Sequence, residues 1–277
     1  MPKVKLDEIN REVYQKFLDE YGKDHAKETV TKLNALVHAC VKDAVYDGKI
    51  QKDFIQRTNL VYDKSKTWKI DYLNETEMKQ LTTLLINTLN YHYSSKYMIL
   101  LAIYSGMRLG EIQGLKWKDI NFNFKTITIH RSWNALTQEY ISPKTESSNR
   151  VVRVNEDILN LIKDLKKNNS EAVFINQFGT IPTSNAVNKT LRNCLNKLDI
   201  NKKGFHFHSL RHTHVAYLLA HDVDIYVISK RLGHSNISTT TNVYSYLIDE
   251  YKTRTNDHIE SVLNNLNGDT KKDAKIN

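Results

Sequence analysis

Residues 126–154 read TITIHRSWNALTQEYISPKTESSNRVVRV, and within them the period of the chain changes. Thr126-Ile127-Thr128-Ile129 and Val151-Val152-Arg153-Val154 are β-branched runs. Branched side chains crowd the preceding turn of a helix but pack well on a pleated surface. Between them, Glu139-Tyr140-Ile141 can supply a third strand. The pattern predicts a small antiparallel sheet. On both sides the spacing is helical, so the sheet is set into a mainly α (α+β) domain.

Working outward, helices are expected at about 157–167, 184–198, 210–221 and 225–232. Toward the N-terminus, Asn74-Glu75-Thr76-Glu77 has the form of an Asx capping box, and Met78, Leu81, Leu85 and Leu89 mark the buried face that follows. This opens a unit running from 74 to 247. Residues 61–73 lack a helical period and read as a basic linker. Within 1–60, Ile9, Val13 and Phe17 recur every fourth residue behind Asp7, the expected N-cap. Val30, Leu33, Val37, Val41 and Ala44 form a second stripe that fades at Asp47-Gly48. Past the main unit, Tyr251, Ile259, Val262 and Leu266 predict an amphipathic helix over 248–267, followed by a frayed polar tail at 268–277.

Composition agrees with a helical protein. Among 277 residues there are only 9 glycines and 3 prolines to interrupt helices. The formal net charge of +9 leans toward a polyanionic partner without specifying one. Cys40 and Cys194 have no CxxC neighbour, which predicts reduced, partly buried thiols and a reducing compartment. Met1–Asn10 has no apolar core of the kind a signal peptide needs, and the apolar run Tyr97–Tyr104 is far too short to span a bilayer. A cytoplasmic location without a membrane partner is expected.

Three stretches carry candidate chemistry. The first is HFHSLRHTH, His206–His214. Four histidines in nine positions raise the idea of a metal, but with no cysteine ligand and no HExxH spacing zinc fits poorly. If a helix starts near Ser209, His208 lies at its mouth and Arg211 in its first turn, an arrangement suited to an anion; capping or surface roles would place the same residues there. The second is YSGMRLGEI, Tyr104–Ile112, where an apolar helix stops at Ser105-Gly106 and another opens near Arg108. Glu111 either pairs with Arg108 as an i,i+3 neighbour or orients its fork toward a phosphate. The third is LGHSNISTTTNVYSY, Leu232–Tyr246. Gly233 ends a helix, Ser235 or Asn236 caps the next, and Tyr244 has no distinction of its own among 15 tyrosines.

Together and in order, GMRLGE, ISPKTESSNRVVRV, HSLRHTH and LGHSNISTTTNVY resemble the catalytic domain of the tyrosine recombinases, the lambda-type phage integrase family. The resemblance spans about 72–247. It implies that Arg108 and Arg211 bind the scissile phosphate and that Lys144, on a β-hairpin, protonates the leaving 5′ oxygen. His208 would assist proton transfer, His234 would hydrogen-bond the phosphate, Glu111 would support Arg108, and Tyr244 would be the nucleophile, with Tyr246 its rival. The implied reaction is DNA cleavage and rejoining through a 3′-phosphotyrosine, with no metal and no cofactor.

The implied partners are double-stranded DNA attachment sites, further copies of the chain in a tetramer, and accessory DNA-bending proteins. Residues 1–60 resemble the latter part of the family's core-binding domain. The likeness begins abruptly near Leu6, which predicts a shortened chain without a separate arm-binding domain. The helix at 248–267 is expected either to be exchanged with a neighbouring protomer or to pack on its own domain. Within the class, an Xer-type or conjugative-transposon recombinase is the alternative to a phage or mobile-element integrase, and a catalytically inactive DNA-binding regulator is the alternative outside it.

Overall fold

The computed structural model describes residues 8–66, 71–143, 146–245, 260 and 263–264. The chain divides into two compact units, 1–70 and 71–277.

In the first unit, α1 (Arg11–Gly22) and α2 (Lys27–Tyr46) pack through Tyr14, Leu18, Val30 and Val41, and Phe54 and Ile55 close the core. The cap of α1 is Asn10, whose side chain accepts from the Val13 amide; Asp7, the expected cap, lies outside the described residues. Leu60 and Tyr62 also pack on this core. Cys40 is exposed on α2, which corrects the expectation of two partly buried thiols; Cys194 is buried. The stripe of α2 is carried by Val30, Val37 and Val41, which leaves Cys40 off the buried face.

The second unit is built around one helix with no polar face. In α4 (Ser95–Ser105), Tyr97 through Ile103 are all buried. A helix apolar all round must be covered all round, and α3 (Glu75–Asn87), α5 (Leu109–Gln113), α6 (Glu156–Lys163), α7 (Ser184–Lys197) and α8 (Phe207–Ala220) all pack against it. The capping box of α3 forms as the sequence predicts: Asn74 accepts from the Glu77 amide at 2.9 Å, and Glu77 accepts from the Asn74 amide at 2.8 Å.

The sheet differs from expectation in one respect. β2 (Thr126–Ile129) pairs antiparallel with β5 (Arg150–Arg153), Ile127 opposite Val152, and the third strand is the two-residue β1 (Ile120–Asn121). Glu139–Ile141, the expected third strand, is β4 of a separate ribbon with β3 (Ser132–Asn134). The reason is burial: Ile127, Ile129 and Val152 face the core, whereas every residue of β4 is exposed.

Helix α6 stops at Lys163 and a 3-10 stretch continues to Asn168, which accounts for the longer helix expected at 157–167. Helix α8 begins at Phe207, three residues before the start expected for the helix at 210–221, because Ser209 turns its hydroxyl back to the His206 amide. Helix α9 (Ile225–Leu232) ends at Gly233 with φ 75°, as expected. Asn236 then accepts from the Ser238 amide, and residues 237–245 are helical. The expected helix at 248–267 and the tail at 268–277 lie outside the described residues, apart from 260 and 263–264. No helix among the described residues is long and apolar enough to cross a membrane.

Candidate active site

Two helices terminate at the same place. α4 ends at Ser105 with Gly106 as its cap and α9 ends at Leu232, and each end leaves carbonyls without a partner inside its helix. Arg211, on α8, fills that deficit. Its Nη1 donates to the Gly106 carbonyl at 2.7 Å and its Nη2 to the Leu232 carbonyl at 2.8 Å. The negative ends of two helix dipoles thus hold a guanidinium that is only 3% exposed. Burial, and then Arg108, press the Arg211 pKa down to about 9, which leaves it charged at neutral pH.

The same Nη2 lies 3.0 Å from His234 Nε2. A guanidinium only donates, so this nitrogen is the acceptor, and Nδ1 carries the proton toward Thr240 Oγ1 at 2.7 Å. Burial, then Arg211, lower the His234 pKa to about 4, and the ring is neutral at pH 7. One turn along α8 from Arg211, His214 is buried with Nδ1 on the Ile103 carbonyl, while its Nε2 accepts from Arg231 Nε at 3.1 Å. This histidine belongs to the scaffold.

Arg108 is the N-cap of α5. Glu111 accepts from the Arg108 amide at 2.9 Å and from Arg108 Nη1 at 3.0 Å, so the predicted i,i+3 pair forms. The Arg108 side chain stays 40% exposed while that of Glu111 is 7% exposed. Burial alone would raise the Glu111 pKa. Hydrogen bonds from Arg150, then the Arg108 contacts, outweigh it and keep the carboxylate ionised. Arg108, Glu111 and His234 line a cavity of about 440 Å³, together with Arg131, Ser148 and Thr239 among others.

Tyr244, on the helical segment 237–245, is 2% exposed. Its hydroxyl is 2.7 Å from His212 Nδ1. His212 neighbours Arg211 in sequence, and its ring sits edge-on to His208 with centroids 5.0 Å apart. Burial, then His208 and Arg211, hold the His212 pKa near 4. His208 is exposed on the first turn of α8. Partial burial, then Arg211, lower its pKa as well. Lys144 and Tyr246 lie outside the described residues.

Thus Arg108 pairs with Glu111 and Arg211 with His234, and Arg108, Glu111 and His234 line one cavity; the Tyr244 hydroxyl bonds His212, the sequence neighbour of Arg211. Sequence reasoning missed Arg150, Arg131 and His212. Arg131 grips both oxygens of the buried Asp119 beside the cavity. His212 stood within the quoted histidine cluster, but nothing local separated it from its three neighbours. Among the described residues, no group of three His, Cys, Asp or Glu side chains is placed to hold a metal ion.

The helical domain with its small antiparallel sheet thus lines one cavity with Arg108, Arg131 and His234, and holds Arg211 against His234. Residues 71–250 match the phage integrase family model. Over 278 residues the chain is 29% identical to a tyrosine recombinase XerC-like protein of Caldanaerobacter subterraneus subsp. tengcongensis, covering 90% of this chain and 69% of that one. It is 26% identical over 275 residues to the integrase of Staphylococcus phage L54a, covering 88% and 77%. The Tn1549 transposon integrase in complex with a circular intermediate DNA superposes with a TM-score of 0.71 at 20% identity, covering 86% of this chain and 82% of that one. The chain belongs to the phage integrase family of tyrosine recombinases, enzymes of site-specific DNA cleavage and rejoining.

Proposed function

We propose that the protein is a phage or mobile-element integrase that cuts each strand with Tyr244 and forms a 3′-phosphotyrosine. The observation that supports this is that Arg108, Glu111 and His234 line one cavity, with Arg211 bonded to His234 and the Tyr244 hydroxyl bonded to the residue next to Arg211. The transition state is a pentavalent, negatively charged phosphorus, and its stabilisation is mostly electrostatic positioning. Arg108 and Arg211 present forked donors to the two nonbridging oxygens, a geometry lysine lacks. The Tyr244 oxygen attacks phosphorus and sheds its proton to the histidine pair on α8, in which His212 is the ring touching the hydroxyl and His208 the exposed one. Lys144 returns a proton to the departing 5′ oxygen. His234 donates to a phosphate oxygen once Arg211 turns its Nη2 to the phosphate and the ring proton moves from Nδ1 to Nε2, leaving Nδ1 to accept from Thr240 Oγ1. The phosphotyrosine keeps the bond energy, so a 5′-hydroxyl of a second strand reverses the step and no ATP is consumed.

On this reading the DNA is a pair of attachment sites held by a tetramer, with residues 1–60 as a partial core-binding module and DNA-bending proteins as accessories. The reading also places the protein in the bacterial cytoplasm, on DNA. The XerC-like relative supports an Xer-type resolvase as the second reading. The test uses a nicked duplex selected from a randomised pool by binding to the full chain, with chelator present. A covalent protein–DNA adduct is expected from the parent and from Tyr246→Phe, and none from Tyr244→Phe. Adduct loss only in Tyr246→Phe reassigns the nucleophile, and tight binding without adduct in the parent favours a regulator.

A further inference from the structure

Arg150 opens β5 and holds Glu111, but has no part in the chemical steps described above. Its side chain is as deeply placed as that of Glu111, both 7% exposed. Nη2 donates to Glu111 Oε2 at 2.8 Å and Nη1 to Glu111 Oε1 at 3.0 Å, a two-pronged pair. Nε donates to the Arg231 carbonyl at 2.8 Å, near the end of α9. Gly233 lies so close that a Cβ there would come 2.9 Å from Arg150 Nη1. One side chain therefore ties together the Arg108–Glu111 loop, the strand leaving the hairpin, and the turn that presents His234.

The charge arithmetic matters more than the tethering. Glu111 Oε1 is shared between Arg108 Nη1 and Arg150 Nη1, and Oε2 between the Arg108 amide and Arg150 Nη2. A single buried carboxylate facing Arg108 alone would compete with any phosphate for that fork, since two-pronged carboxylate and phosphate binding use the same donors. A second guanidinium on the far side takes up the carboxylate's charge.

We propose that Arg150 is a positioning residue for strand cleavage: by neutralising Glu111 it leaves the Arg108 fork available to the scissile phosphate. This rests on the reading of Arg108 as a phosphate ligand. Arg150 does not touch DNA on this account, so its loss should slow cleavage without weakening binding.

The test measures single-turnover adduct formation at saturating protein on the selected nicked duplex, with the duplex Kd measured separately. Arg150→Met is expected to slow the step about 100-fold, the scale of a small misplacement at a reacting centre, with Kd changed less than about threefold. The decisive variant is Glu111→Gln/Arg150→Met. With the carboxylate charge gone, a neutral amide oxygen holds the Arg108 fork only weakly, and at least about tenfold of the loss should return. A purely structural role predicts the opposite, a double variant no faster than Arg150→Met, and that result overturns the proposal. So does a drop in Kd-normalised binding that accounts for the whole rate loss. Arg150→Lys, which keeps the charge and loses the fork, should fall between parent and Arg150→Met and serves if the methionine variant folds poorly. Arg108→Ala keeps the two ideas apart: full activity there removes the underlying site reading, whereas an inactive Arg108→Ala beside an unaffected Arg150→Met removes only this inference.

Discussion

Gly106 shows how tightly the site is specified at single residues. Its φ of 67° is left-handed, and a Cβ there would sit 2.7 Å from His214 Cδ2 and 3.0 Å from Leu232 Cδ2. Its carbonyl is the acceptor for Arg211 Nη1. Gly106→Ala therefore strains the backbone, costing about 1–2 kcal/mol before any clash, and displaces a carbonyl that holds a phosphate-binding candidate. A lowered melting temperature together with loss of adduct is the expected outcome; a variant as stable as the parent contradicts it. Both arms of this argument were partly visible in the sequence, since Ser105-Gly106 reads as a helix stop. The partner was not: Arg211 meets Gly106 across 105 positions, and no local period reports such a contact. Arg150 was hidden for a related reason. It stands just before the β-branched run Val151–Val154 with no local mark of its own, and only its approach to Glu111 and the α9 end shows its side chain to be buried.

At the scale of elements, the features with a local physical cause were the legible ones. The Asn74–Glu77 capping box satisfies two amide donors within four residues, so its signature is local and it forms as read. Asn74→Ala should cost about 1 kcal/mol of stability, measured by urea denaturation, with adduct formation unchanged because no residue of the box lines the cavity. An Asn74→Ala chain as stable as the parent would show that α3 is held by packing alone. Strand partnership is not local. Glu139-Tyr140-Ile141 has strand character, yet its exposed residues pair with Ser132–Asn134 and leave the sheet to Ile120–Asn121, a two-residue strand too short to leave a periodic trace. Helix α4 was readable as an apolar helix that stops at Ser105-Gly106, and the family's short motifs fall at the ends of the elements around it. The motifs could be recognised because those ends must bring particular side chains together.

For the whole molecule, four histidines beside or behind the cavity are kept neutral by the fold. The pKa of His214 is lowered to about 3, chiefly by burial and then by Arg231. Those of His212 and His234 are lowered to about 4, and that of His208 is lowered as well. In the unfolded chain these rings titrate near pH 6.5. Each folded pKa lies below the unfolded one, so the unfolded state binds more protons between the two. This share of stability is complete above about pH 6.5 and drains away as pH falls toward about 3–4. The melting temperature should therefore drop clearly from about pH 7 to about pH 5, ahead of ordinary carboxylate titration. A flat profile over that range contradicts rings held neutral by the fold.

The central claim is that the hydroxyl of Tyr244 forms the covalent link to DNA. It is tested most directly by trapping the adduct on the selected nicked duplex, digesting both polymers, and mapping the nucleotide-bearing residue by mass spectrometry. The account predicts a 3′-phosphonucleotide on Tyr244 in the peptide spanning 237–245. Attachment at Tyr246, at any other side chain, or a cut strand with no protein attached would contradict it.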